Sequence, residues 1–215
     1  MDSAPLTIAS EPVRESRPLA RGPTLSAAQW GMIAFLLSEV AFFGTLLVAY
    51  VAFLDPDGAD PTPQILKLPL VLGNTFCLLA SSVTVHFAEQ RWHAGARRGF
   101  FTCWLATIAL GLLFLAGTAY EWHHLISQDG LTLSTNLFGS TFYTLVGFHA
   151  LHVSVGIVAL AIVFGLSVRR PPPAENSPNS LGAHGTAGVQ LVGWYWHFVD
   201  TVWLIVFAVV YVFGR

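Results

Sequence analysis

Charge is scarce in this chain. Lys and Arg together number 10 and Asp and Glu 12 among 215 residues, so charged side chains are 10% of the sequence, against about a quarter in ordinary soluble domains. That scarcity argues against a water-soluble enzyme. Hydrophobic residues reach 54% and the mean hydropathy is +0.61, which argues equally against a disordered chain. A net charge of −2 leaves no basic face for nucleic acid. Only two cysteines occur, Cys77 and Cys103; they make neither a disulfide framework nor a Cys-x-x-Cys pair. A glycine-rich phosphate loop and an internal repeat are missing, and no Ser–His–Asp assignment has support beyond the presence of those residue types. The first 25 residues hold Pro5, Pro12, Pro18 and Pro23 without an apolar run. A secretory leader is therefore not expected, and the first span itself directs insertion.

Long apolar runs are what the sequence does have. A bilayer core about 30 Å thick needs roughly 20 apolar residues in a helix. Five stretches meet that need: Trp30–Leu54, Leu66–Ala88, Phe100–His124, Asn136–Ser167 and Gln190–Phe213. Of all the charged residues only Glu39, Lys67, Glu121 and Asp200 fall inside them, far fewer than an even spread would place there. Continuous runs such as Leu110–Ala116 and Ile157–Phe164 lack the alternation of a membrane barrel, and helices satisfy their own backbone in lipid. The fold class is thus all-α: an integral membrane five-helix bundle over residues 29–215, after a polar cytoplasmic segment over 1–28. The fourth span exceeds a bilayer and is expected to project from it or to begin with an interfacial turn. Pro171–Gly188, rich in Pro, Asn, Ser, Gly and Ala, reads as a flexible loop.

Orientation follows from the loops. Arg14, Arg17, Arg21, Arg91, Arg97, Arg98, Arg169 and Arg170 lie on one side; Lys67 and Arg215 lie on the other, with Asp55, Asp57, Asp60 and Asp129. The positive-inside rule puts the N-terminus in the cytoplasm and the C-terminus outside. Trp30 and Trp194 are expected at the inner interface, and Tyr50, Tyr120, Trp122 and Tyr211 at the outer one. The run Trp194–Trp196 reads as an interfacial anchor.

Ionisable groups inside the spans are costly and normally face other helices. Glu39 lies near the middle of the first span, His149 and His152 near the middle of the fourth, and His197 one turn before Asp200 in the fifth. Helical spacing puts Leu145, His149, His152 and Gly156 on one stripe, Gly193, His197, Asp200 and Leu204 on another, and Asn74, Cys77, Ser81 and Thr84 on a polar seam of the second span. The plain reading is interhelical hydrogen bonding for the histidines and Asp200, a structural carboxyl or a proton relay for Glu39, and small buried packing residues for the cysteines. The spacing of His149 and His152 also suits a metal pair, but weakly. A two-haem cytochrome would want four axial histidines at paired depths, and only three lie near mid-membrane. A metal site in this chain is therefore not expected. The rival functions are a stand-alone proton-coupled carrier using Glu39, His149, His152, His197 and Asp200, and a haem or metal membrane protein.

Five segments taken together resemble subunit III of the haem–copper respiratory oxidases: FLLSEVAFF at Phe35–Phe43, GNTFCLLASSVTVH at Gly73–His86, YEWHHLI at Tyr120–Ile126, GFHALHVSVG at Gly147–Gly156 and YWHFVDTVW at Tyr195–Trp203. The resemblance runs in order from about Gln29 to Gly214. It implies a helical accessory subunit of an oxidoreductase complex, with no catalytic residue and no redox centre of its own, that rests beside subunit I. The cofactors it implies are haem and copper in subunit I, copper in subunit II, and bound phospholipid. The partners it implies are subunits I and II, small subunits, membrane phospholipids and a respiratory supercomplex, in a bacterial inner membrane. Family members bind lipid in a cleft, sustain proton uptake into subunit I and protect its active site during turnover. By the same resemblance Glu39 matches the family's buried, carbodiimide-reactive glutamate. His149, His152, His197 and Asp200 match its recurrent intramembrane polar positions, and Glu121 matches a glutamate near a helix end. Asn74 belongs to the same polar set, and Arg169 and Arg170 are the expected lipid-headgroup contacts. The long family form has seven spans, the first two of which this chain lacks. YEWHHLI looks like the short subunit III of bacterial quinol oxidases, whereas the SEV around Glu39 looks more like cytochrome c oxidase; an accessory protein of nitric oxide reductase shares the five-span form.

Overall fold

The computed structural model describes residues 25–53, 68–169 and 180–213, with side chains omitted over 180–186. It contains five long helices: α1 (Ala27–Ala52), α2 (Leu68–His93), α3 (Arg97–Ser127), α4 (Leu137–Arg169) and α5 (Ser180–Phe207), the last continuing into a π-helical turn at Ala208–Phe213. All five are long and apolar enough to cross a membrane.

Local chemistry sets the ends. A capping box opens α1: Ser26 Oγ accepts from the Gln29 N–H at 3.2 Å, and Gln29 Oε1 accepts from the Ser26 N–H at 2.8 Å. A Schellman motif closes α2, with Gly95 at φ +69°, its N–H on the Trp92 carbonyl and the Ala96 N–H on the Arg91 carbonyl. That turn is tight enough to make α2 and α3 an antiparallel hairpin. Asn136 caps α4 by accepting from the Gly139 N–H at 2.8 Å, and Arg97 reaches across to the last carbonyls of α4, at Ser167 and Val168. The Gln29 amide on Gln190 and the Arg97 contact gather Arg91, Arg97, Arg98 and Arg169 at one end of the bundle.

Helices α2 to α5 close into a ring, α2 against α3, α3 against α4, α4 against α5 and α5 back against α2; α1 packs mainly on α4 and α5. Of α1 only Phe43 and Tyr50 are buried. The ring is centred on aromatic side chains that donate to other helices. Trp104 Nε1 donates to the Leu160 carbonyl at 2.9 Å, Trp196 Nε1 to Ser81 Oγ at 2.9 Å and Trp203 Nε1 to Thr75 Oγ1 at 3.0 Å.

Several sequence expectations change. Tyr50 and Tyr211 are fully buried, not interfacial: Tyr211 turns inward to Glu121 and Tyr50 packs on Phe138. Trp196 is also interior, because Gly111 of α3 and Gly156 of α4 leave room that its ring fills; an added Cβ would meet the ring at 2.8 Å and 2.9 Å. Trp30 and Tyr120 do stay exposed. Helix α5 begins within the segment read as a loop, covering Ser180 to Gly188. Propagating an established helix costs far less than nucleating one, and no proline follows Pro178. Cys77 and Cys103 are half-buried, not buried, and Leu204 faces outward on its stripe.

Small residues bring α2 and α3 together at one further point. Asn74 of α2 lies directly on Gly117 of α3, where an added Cβ would overlap the Asn74 amide. Gly117→Leu is expected to destabilise the protein by at least 1–3 kcal/mol, roughly the overpacking range. Gly44→Leu, at a position with nothing within 4 Å, is expected to be neutral. Thermal unfolding of the two purified variants side by side checks this.

Candidate functional site

Three polar clusters lie on three helix seams. The first joins α1 to α4. Glu39 Oε2 is 3.0 Å from His152 Nε2, and the two side chains are 17% and 15% exposed. His152 Nδ1 is 2.7 Å from the Phe148 carbonyl, which can only accept, so this nitrogen carries a proton. Nε2 then either accepts from a protonated Glu39 or, in the imidazolium, donates to the carboxylate. In both forms the Glu39–His152 contact holds one proton and carries no net charge, the arrangement that an apolar setting tolerates best. Tyr195 of α5 donates to the His152 carbonyl at 3.0 Å, and the Phe42 and Phe43 rings flank the imidazole.

The second cluster joins α2 to α5. Ser82 Oγ lies 2.9 Å from His197 Nδ1 and also hydrogen-bonds Asp200 Oδ2. One turn and two turns further along α2, His86 and Glu89 approach the same imidazole. The Glu89 carboxylate rests on Gly193, where any side chain would overlap it, and its buried Oε1 has no hydrogen-bond partner among the described residues. The third cluster is the buried contact of Tyr211, which donates to Glu121 Oε2 of α3 at 3.2 Å. The π-helical turn at Ala208–Phe213 contains Tyr211, and such turns locally change which side chains face a seam.

The structure thus brings Glu39 to His152, and His197 and Asp200 to a common serine. It does not bring these two groups together into one chain of ionisable residues. His149 departs from the interhelical hydrogen bond expected of it. It is 0% exposed, and neither ring nitrogen has a partner among the described residues. It packs as an aromatic ring instead, 4.8 Å from Trp203 and edge-on to Phe114 at 5.8 Å. Asn74 is a packing residue of the α2–α3 seam. Arg169 is exposed at the end of α4, and Arg170 lies outside the described residues. Ser82, His86 and Glu89 went unselected by the sequence reading. Their spacing of four and then three residues marks one helix face, but nothing in α2 alone says that this face meets His197.

These features define a multi-pass helical membrane protein in which Glu39 meets His152, Ser82 meets His197 and Asp200, and Tyr211 meets Glu121 across helix seams. Comparison with known proteins carries this from class to family. The sequence model for "Cytochrome c oxidase subunit III" matches residues 22–215. The chain is 37% identical over 186 residues to cytochrome c oxidase subunit 3 of Synechocystis sp., covering 85% of this chain and 74% of that protein. It is 34% identical over 191 residues to the Thermostichus vulcanus protein of the same name, covering 86% and 87%. A probable cytochrome c oxidase subunit 3 of Nocardia farcinica is 37% identical over 188 residues, covering 84% and 85%. The chain therefore belongs to the cytochrome c oxidase subunit III family.

Proposed function

We propose that this chain is the accessory subunit III of an aa3-type cytochrome c oxidase, resting beside subunit I in a bacterial cytoplasmic membrane with its N-terminus inside. Haem and copper belong to subunit I, and further copper to subunit II. This chain contributes helix packing, lipid binding and support for proton uptake and stable turnover. The observation that carries the reading is the Glu39–His152 contact. It is a one-proton, net-neutral pair near mid-membrane, on the seam between the bundle and its most exposed helix. Such a pair fixes α1 while keeping an exchangeable proton inside the bilayer. Arg169, in the last turn of α4, and Arg170 are proposed to meet a lipid phosphate; the exposed position of Arg169 at a helix end supports that role.

Purification of the tagged chain from its native membrane in mild detergent tests the proposal. The eluate is expected to carry a haem a spectrum, subunits I and II, and retained phospholipid. A chain recovered alone, while oxidase activity elutes elsewhere, would overturn the reading. A complex that oxidises quinol and not cytochrome c would move it to a quinol oxidase, and a nitric oxide reductase as companion would move it to that accessory role. Removal of the chain is expected to leave the initial oxidase rate measurable and to shorten the number of turnovers before inactivation.

A further inference from the structure

The α2–α5 seam holds a donor set that subunit III membership leaves without a role. His86, Glu89 and His197 each offer one ligating atom, and these atoms lie within 4.8 Å of one another. We propose that these three side chains form a transition-metal site of the Zn²⁺ class that bridges α2 and α5. Two imidazoles and a carboxylate are the ligands zinc takes in sites that keep a fourth position open to water. Around a tetrahedral ion, ligand atoms sit roughly 3.4 Å apart. The three arms therefore need to close by up to about 1.4 Å, within the reach of small rotations about side-chain bonds.

Two features show that the position is built and not a chance encounter. The Glu89 carboxylate occupies a cradle that exists only because residue 193 is glycine, and it keeps a buried oxygen without a partner. A buried, unmatched carboxylate oxygen is costly unless something binds it. His197 is oriented by a second layer: its Nδ1 meets Ser82, whose hydroxyl donates to Asp200. Metal-bound histidines characteristically use the other ring nitrogen in this way, and Nε2 is left for the ion. His86 is exposed and its Nε2 also meets Gln90; an ion held on Nδ1 would leave that contact in place.

The depth suits entry from water. Helix α2 has 26 residues, about 39 Å at 1.5 Å each, against a hydrocarbon core of about 30 Å. Arg91 and His93 in its last turn mark the headgroup level, and Glu89 lies within a turn of them. The site draws on this chain's own side chains alone, so its success or failure is independent of which oxidase the subunit joins.

The test is a Co²⁺ titration of the full chain, purified in mild detergent and stripped with a chelator. One Co²⁺ per chain is expected, with a visible d–d band that Zn²⁺ abolishes, and a rise in melting temperature on adding Zn²⁺. H86Q changes an exposed side chain that the fold does not need. It is expected to weaken binding at least tenfold and to remove the thermal shift. S82A is expected to weaken binding about 10–100-fold, as loss of a second-layer partner does. E39Q, on another seam, is expected to bind as the unaltered chain does. No saturable band at stoichiometric Co²⁺, or H86Q and S82A titrating like the unaltered chain, would overturn the proposal.

Discussion

Trp196→Ala is expected to destabilise the bundle by about 3 kcal/mol, more than any change on the lipid-facing surface. Lipid is as apolar as the protein interior, so the usual gain from leaving water is small here and cannot dominate. What remains is packing and one hydrogen bond. Trp196 is 0% exposed and belongs to α5 while touching three other helices: its Nε1 donates to Ser81 of α2, and its ring fills the space left by Gly111 of α3 and Gly156 of α4. Truncation removes roughly 140 Å³ of side chain at a site with contacts on every face. At about 24 cal/mol per Å³ of unfilled cavity that is about 3.3 kcal/mol before any relaxation. Ser81 loses its donor but keeps its contact with the Leu78 carbonyl, so the polar loss is the smaller part. Trp194→Ala, two residues away on a half-buried face, is expected to cost less than half as much. Unfolding of both variants in mixed detergent micelles compares them directly; equal losses would show that the ring at 196 is not the keystone of the four-helix contact. Gly156→Leu should reproduce the Trp196→Ala defect from the other side, since its side chain and the indole would claim one volume.

The same tryptophan shows where a sequence stops being informative. Helix existence and number follow from hydropathy and length, because a backbone in lipid must satisfy itself, and the span ends could be read within about five residues, except at the start of α5, which begins at Ser180 and not Gln190. The α1 cap at Ser26 and the α4 cap at Asn136 have local signatures as well. Whether an aromatic residue faces the interface or the interior depends on which glycines oppose it on other helices. Nothing near Trp196, Tyr50 or Tyr211 in the chain encodes that. Glu39 and His152 stood out individually, since each is an ionisable group in an apolar run. Their pairing needed the register of α1 on α4. Ser82, His86 and Glu89 were harder still: Ser82 is an ordinary small residue in its run, and the other two sit near a span end where polar groups excite no suspicion. Only the fold sets them opposite His197 and Gly193. The extension of α5 to Ser180 was masked for a different reason. Its composition suits a loop, and the stability that makes it helical comes from the span it continues.

Glu39→Ala should loosen α1, and in the ionic form of the Glu39–His152 pair by more than removal of both side chains together. In the single variant His152 keeps its Nδ1–H on the Phe148 carbonyl, but Nε2 faces Phe42 and Phe43 with no acceptor or donor. If the imidazole was protonated, a charge is stranded in an apolar setting, and removing one partner of a buried pair in this way costs about 3–5 kcal/mol. If the pair was neutral, the loss is that of one interhelical hydrogen bond in a membrane, about 0.6 kcal/mol on average and at most about 1.7. The two protonation forms of the same geometry thus predict losses that differ severalfold, and the size of the Glu39→Ala effect distinguishes them. His152→Ala added to Glu39→Ala removes the stranded group, so the double variant is expected to recover part of the loss in the ionic case and almost none in the neutral one. Glu39→Gln keeps an amide that can donate to a neutral imidazole, so it is expected to lie close to the unaltered protein if the pair is neutral and to lose stability if it is ionic, because the imidazolium then lacks its counter-charge. Besides this pair, the Gln29–Gln190 amide contact is the other side-chain hydrogen bond tying α1 to the ring among the described residues. Protease accessibility of the α1 end therefore reports its release alongside the unfolding curve. Equal stability of Glu39→Ala, the double variant and the unaltered protein would mean that α1 is held by its apolar contacts alone, and the pair would then have no part in fastening it.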